Sequence, residues 1–163
     1  MKPTSDGTVP EHQPHCMVCG TANPASIGLR MRIDGDRVHG TVCLDRRHEG
    51  APGFAHGGAI AAALDDLLGT VLILLEQPAV TASLTVDYRA PAILGRELSL
   101  TGWAVAVEGR KLHLRGEVHD GERLVAEGRA LFLAVDLAHF KSSGQPLPEA
   151  WATWGEGAND QQP

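Results

Sequence analysis

His56-Gly57-Gly58, followed at position 65 by an aspartate, is the arrangement in this sequence best suited to chemistry on a carbonyl. Two glycines opening a helix leave backbone N–H groups without intrahelical partners and with no Cβ in the way. Such a terminus favours negative charge through its hydrogen bonds and its dipole. It can hold a phosphate, polarise a carbonyl as an oxyanion hole, or simply permit a tight turn from loop to helix. Asp65 sits within an almost wholly apolar run, residues 59–75, where a carboxylate is costly unless it is paired or used. Asp66 follows it. Adjacent helix positions point about 100° apart, so the two side chains meet different surroundings. One can be reactive while the other is solvated or structural; a wet crevice between subunits would suit both. His56 can serve as a helix cap, a ligand or an orienting group.

Cys16-Met17-Val18-Cys19-Gly20 has the spacing of half a zinc site. A closed site needs two more ligands. His12 and His15 are near in sequence, but no second CxxC follows. The expectation is a reduced structural pair in a tight turn, with no metal and no cofactor. The remaining histidines, His48 among them, read as surface or strand residues without a role.

The elements that must position these groups follow from the hydrophobic pattern. Residues 1–26 read as an irregular leader. Leu29, Met31 and Ile33 alternate, Asp34-Gly35 signals a turn, and residues 38–44 form a second strand. A glycine- and proline-containing loop leads to one helix, from the glycine pair to about Glu76, closed by Pro78. Four strands follow, at residues 80–89, 97–107, 110–119 and 123–134. In the first of these, Val80, Ala82, Leu84, Val86 and Tyr88 are expected on one face, with Thr81, Ser83, Thr85, Asp87 and Arg89 on the other. Turns at Glu108-Gly109 and Asp120-Gly121 make the last three strands a meander. Residues 136–163 form a tail in which Trp151 and Trp154 can dock and residues 155–163 are loose. The order β-β-α-β-β-β-β with a helix apolar nearly all round predicts an α+β domain over residues 27–135: a curved antiparallel sheet of about six strands wrapped around one central helix. Such a sheet covers the helix only in part, so the pattern calls for a homo-oligomer.

Bulk properties narrow the function. A chain of 163 residues suits one core. A formal net charge of −6 gives no support to nucleic-acid binding, which needs a basic surface. The polar first fourteen residues contain no signal-peptide core. Three cysteines, an odd and low count, do not suggest a secreted disulfide scaffold. The expected location is the cytoplasm. The run 59–75 is short for a membrane span and carries two aspartates, so it is expected in protein rather than lipid.

The stretch from His56-Gly57-Gly58 through Leu64-Asp65 resembles the signature of the hotdog-fold thioesterases of the phenylacetyl-CoA (PaaI-type) and 4-hydroxybenzoyl-CoA group. In that group an HGG opens the central helix and an acid follows nine positions after the His. The strand from Thr81 to Pro91 and the leader from Cys16 to Leu29 are similar to segments of the same family. The resemblance implies an acyl-CoA thioester hydrolase without a cofactor. Asp65 would be nucleophile or general base, Gly57 and Gly58 would supply amide N–H groups, and Thr81 would help place water, with Ser83 second. Arg89 would contact a phosphate of CoA. Many members carry Asn six residues before the His, where this chain has Gly50.

The rival reading from another class is a hotdog protein that binds acyl-CoA or acyl groups without hydrolysis. A hotdog hydratase needs a His and an acid at a spacing not found here, and a small zinc module would declare itself by metal content. The active site is expected to be shared between two chains. Gly57 and Asp65 are eight residues apart on one helix, about 12 Å along its axis, too far for both to serve one thioester.

Overall fold

The computed structural model describes residues 2–148 and Trp151. A seven-stranded antiparallel sheet carries one long helix. The strands are β1 (Thr8–Val9), β2 (Arg30–Asp34), β3 (Arg37–Cys43), β4 (Ala79–Tyr88), β5 (Glu97–Glu108), β6 (Lys111–Asp120) and β7 (Arg123–Ala134), in the spatial order β1-β2-β3-β5-β6-β7-β4. The helix α1 spans Gly57–Leu74, and a short helix α2 spans Leu137–Lys141. This is the expected hotdog arrangement, an antiparallel sheet around a central helix. The β5-β6-β7 meander forms as its turn residues predict. Gly109 and Gly121 close its hairpins with φ of 57° and 61°, the left-handed region that glycine enters without strain.

Two features of the fold go beyond the sequence reading. The segment 1–26, expected to be irregular, contributes β1, which pairs with β2 at Thr8↔Arg32 and Val9↔Met31. Val18 and Cys19 of the same segment are buried. In the tail, Trp151 docks edge-on against Phe140 of α2, with ring centroids 5.1 Å apart. Trp154 and residues 155–163 lie outside the described residues.

The helix sits close to the sheet because the sheet has no side chains where it passes. Gly102, Gly116 and Gly128 lie directly opposite one another on β5, β6 and β7. A Cβ added at any of them, or at Gly40 on β3, would stand 3.1–3.4 Å from the side chains of Leu64, Leu67 or Leu68. Those leucines are fully buried in this trough, and Val71 with them. Filling the trough forces the helix outward or the leucines off their rotamers. Gly116→Val should therefore cost about 1–3 kcal/mol, the usual range for overpacking a tight core. Chemical denaturation of the two proteins side by side checks this, and unchanged stability would mean the trough does not set the helix height.

Candidate active site

The chain enters α1 through a built loop. The Asp45 side chain caps the turn Arg46–His48, and the His48 side chain returns the bond to the cap backbone. His48 is buried in this turn, where the expectation was a surface or strand residue. Its carbonyl accepts the His56 N–H at 2.7 Å. Gly50 lies against the same backbone: a Cβ there would be 2.9 Å from His56 Cα. An Asn at this position would have to move the segment that presents His56, which is the physical counterpart of the glycine in this chain.

His56 is the N-cap of α1, and its Nδ1 accepts from the Gly58 N–H at 2.8 Å. This assigns the three residues separately. His56 orients the helix start. The Gly58 N–H is engaged by the cap, so it is not the donor offered to a ligand. A Cβ on Gly58 would stand 2.9 Å from His56 Nδ1 and break the cap. Among the described residues nothing accepts from the Gly57 N–H. That group, at the positive end of the helix dipole, is the oxyanion-hole candidate.

Gly57 borders a cleft of about 400 Å³ whose walls include Tyr88, Arg89 and Val125. The Tyr88 hydroxyl donates to the Gly57 carbonyl at 2.7 Å. Burial pushes that hydroxyl above its ordinary pKa, which keeps it a protonated donor. Arg89 stands at the cleft, its Nε 2.7 Å from Glu127. The salt bridge orients a half-exposed guanidinium there, as a phosphate contact would require.

Asp65 lies two turns further along α1, and the Thr81 hydroxyl donates to its Oδ1 at 2.9 Å. Thr81 reaches it because β4 is bulged. Thr81 pairs with Phe132 but Ser83 pairs with Leu131, so one residue, Ala82, is extra. Phe132 is buried beneath the helix, and Thr81 shares its face. Leu84 and Val86, beyond the bulge, also pack on the core. The strict alternation expected from the sequence put Thr81 and Ser83 together, opposite Leu84, Val86 and Tyr88. The bulge instead turns Thr81 inward and leaves Ser83 outward beside Leu131, away from Asp65. The fold thus brings Thr81, and not Ser83, to Asp65.

Asp65 and Asp66 do face different surroundings. Asp66 turns to the leader: its Oδ1 is 3.5 Å from His12 Nδ1 and its side chain is 15 % exposed. Burial pushes its carboxyl above the ordinary range, partly countered by His12. Burial, and then the Asp66 charge, pushes the Cys19 thiol up as well. The sequence reading found no role for His12 and no further ligand for the cysteine pair, because Asp66 joins them only through the fold.

Comparison with known proteins agrees with the geometry. The thioesterase superfamily model matches residues 52–127. The acyl-coenzyme A thioesterase THEM4 of Xenopus laevis is 39 % identical over 89 residues, covering 53 % of this chain and 40 % of that protein. The chain thus spans about two fifths of the length of this curated relative. Among solved structures, the thioesterase superfamily protein RHA08564 is 30 % identical, with a TM-score of 0.71, over 75 % of this chain and 64 % of that one. The smu.793 protein of Streptococcus mutans UA159, solved bound to acetyl CoA, shares the fold at 24 % identity and a TM-score of 0.63, over 66 % of this chain and 88 % of that one.

Proposed function

We propose that this chain carries a hotdog domain of the thioesterase superfamily, whose model matches residues 52–127, and that it hydrolyses acyl-CoA thioesters at sites shared between two copies of the chain. The observation that carries the proposal is the Thr81–Asp65 hydrogen bond on a helix whose own first N–H stands unpartnered at a cleft. Thr81 occupies Oδ1 of the carboxylate, and the other oxygen is left to accept from water. Asp65 takes a proton from that water as it attacks the thioester carbon. The oxyanion that develops is held by a Gly57 N–H. Collapse breaks the carbon–sulfur bond, and the CoA sulfur leaves with the proton from Asp65. Arg89, at the cleft, is the proposed contact for a CoA phosphate.

The two groups cannot come from one chain. Gly57 and Asp65 belong to the same unbroken helix, and eight residues separate them by about 12 Å. The position of β4 supports a second copy as the source. It is an edge strand, at the end of the sheet opposite β1, with one backbone edge open for pairing. Thr81, bonded to Asp65, and Tyr88, bonded to the Gly57 carbonyl, lie near its opposite ends. Antiparallel pairing of two β4 strands about their midpoint sets Thr81 of one protomer beside Tyr88 of the partner subunit. Asp65 then approaches Gly57 of the partner subunit, twice per dimer, as two-fold symmetry requires. Gly69 is consistent with such a contact. A mid-helix glycine costs about 1 kcal/mol relative to alanine, and a Cβ there would meet nothing within 4 Å in the single chain. A close neighbour from outside the chain gives that glycine a purpose. The assembly is a dimer or a larger even-numbered oligomer. A reducing compartment, the cytoplasm, belongs to the same reading and is supported by the odd, low cysteine count of the sequence.

The test is a panel of short, long and aromatic acyl-CoAs, with release of free thiol followed over time. The proposal expects turnover on at least one class, with one thiol released per acid formed. Retention of acyl-CoA with no thiol release by any member would identify a binding protein instead.

A further inference from the structure

We infer that His12, Cys16, Cys19 and Asp66 form a structural zinc site that fastens the N-terminal segment to the middle of α1. The four candidate ligand atoms, one from each residue, all lie within 4.8 Å of one another. His12 Nδ1 is 3.2 Å from Cys19 Sγ and 3.5 Å from Asp66 Oδ1. Zinc–sulfur bonds of about 2.3 Å and zinc–nitrogen or –oxygen bonds of about 2.0–2.2 Å place tetrahedral ligand atoms roughly 3.3–3.8 Å apart. These two separations fall at or next to that range, and the widest pair needs to close by about 1 Å.

The loop is already shaped to present its sulfurs. The Val18 N–H points at Cys16 Sγ at 3.2 Å, a donor that stabilises a thiolate. The Gly20 N–H bonds the Cys16 carbonyl at 3.1 Å. A Cβ on Gly20 would collide with the backbone of Pro14 and Cys16 at 2.4–2.7 Å, so the turn admits only glycine. The Ser26 hydroxyl, the Leu29 N–H and the Gly28 N–H all bond the Val18 carbonyl, tying the loop to the start of β2. These contacts order the cysteines before any ion arrives.

The cluster also lacks what a buried carboxylate needs. Asp66 Oδ2 is buried and has no hydrogen-bond partner among the described residues, a costly state for a carboxylate. Cys19 is 3 % exposed beside it. A divalent cation supplies the missing positive charge. Two sulfurs and an imidazole are soft or borderline donors and select zinc over magnesium or calcium. Four protein ligands leave no open position for substrate, so the site is structural. On binding, each thiol gives its proton to solvent; two thiolates and one carboxylate around Zn²⁺ leave a net charge of −1. Because Asp66 is next to Asp65, the ion also fixes the rotation of α1 that aims Asp65 at Thr81.

The experiment is metal analysis of the full chain, purified without chelators from zinc-supplemented medium and dialysed exhaustively, followed by cobalt substitution under reducing conditions. The expected result is about one zinc per chain, and a cobalt spectrum with thiolate charge-transfer and tetrahedral ligand-field bands. Cys16→Ser combined with Cys19→Ser should abolish both. Loss of the fold in that variant would also abolish both, so His12→Gln and Asp66→Asn are measured too. Each should weaken zinc retention against a chromophoric chelator by at least about tenfold. Substoichiometric zinc, a cobalt spectrum without thiolate bands, or retention indifferent to all these substitutions would overturn the inference.

Discussion

Asp65→Asn lowers acyl-CoA turnover by at least about a hundredfold, the effect of removing a general base. The substitution keeps the size of the side chain and an oxygen to accept from Thr81, whose hydroxyl lies 2.9 Å from Asp65 Oδ1. Helix, bulge and assembly should therefore be unchanged, and what is lost is the capacity to take a proton. Asp66→Asn is the matched comparison, one residue on. Its side chain faces His12 and the leader rather than Thr81. It should reduce turnover far less per folded molecule and lower thermal stability instead. Steady-state thiol release together with a melting curve for each variant separates the two roles. Equal activities, or a greater loss at Asp66, would place the base on the wrong residue.

The second large effect is expected at Gly57, and it isolates a single N–H. Proline at the first position of a helix is well tolerated. The preceding residue, His56, has φ −64° and ψ 136°, a conformation that suits a residue before proline. Gly57→Pro therefore deletes the candidate oxyanion donor with little change to the helix. Turnover should fall about 10²–10³-fold, as when one such donor is removed. Gly57→Ala is the control for bulk. Its Cβ would meet the Tyr88 ring at 3.2 Å, a contact that a small shift of a half-exposed ring relieves, and it keeps the N–H. Alanine should be much the milder change. If alanine and proline were equally inactive, crowding of Tyr88 rather than loss of the donor would explain both.

The parts of this site that local spacing determines could be read directly from the sequence. The helix start at the glycine pair, Asp65 on that helix, and the turns at Gly109 and Gly121 each depend on a few neighbouring residues, and the structure has them where expected. What the sequence concealed is non-local or a break in period. Alternation along β4 cannot reveal the extra residue at Ala82, so Thr81 and Ser83 were placed on one face when the bulge separates them. The glycines at 40, 102, 116 and 128 look like isolated interruptions of four strands. Only strand pairing gathers them into one trough under Leu64, Leu67 and Leu68. The cysteine pair looked two ligands short because Asp66 is 47 residues beyond Cys19 and meets it only after the leader folds across α1.

The central claim is that one site needs Gly57 from one chain and Asp65 from another. The most direct measurement mixes two inactive proteins, Asp65→Asn and Gly57→Pro, allows subunits to exchange, and assays thiol release from isolated hybrid dimers. A hybrid concentrates both defects in one site and leaves the other with an intact N–H and an intact carboxylate. Activity should return to about half the wild-type value per hybrid dimer, because one of two symmetry-related sites is whole. Verified hybrids that remain as inactive as their parents would contradict the shared site and the mechanism built on it.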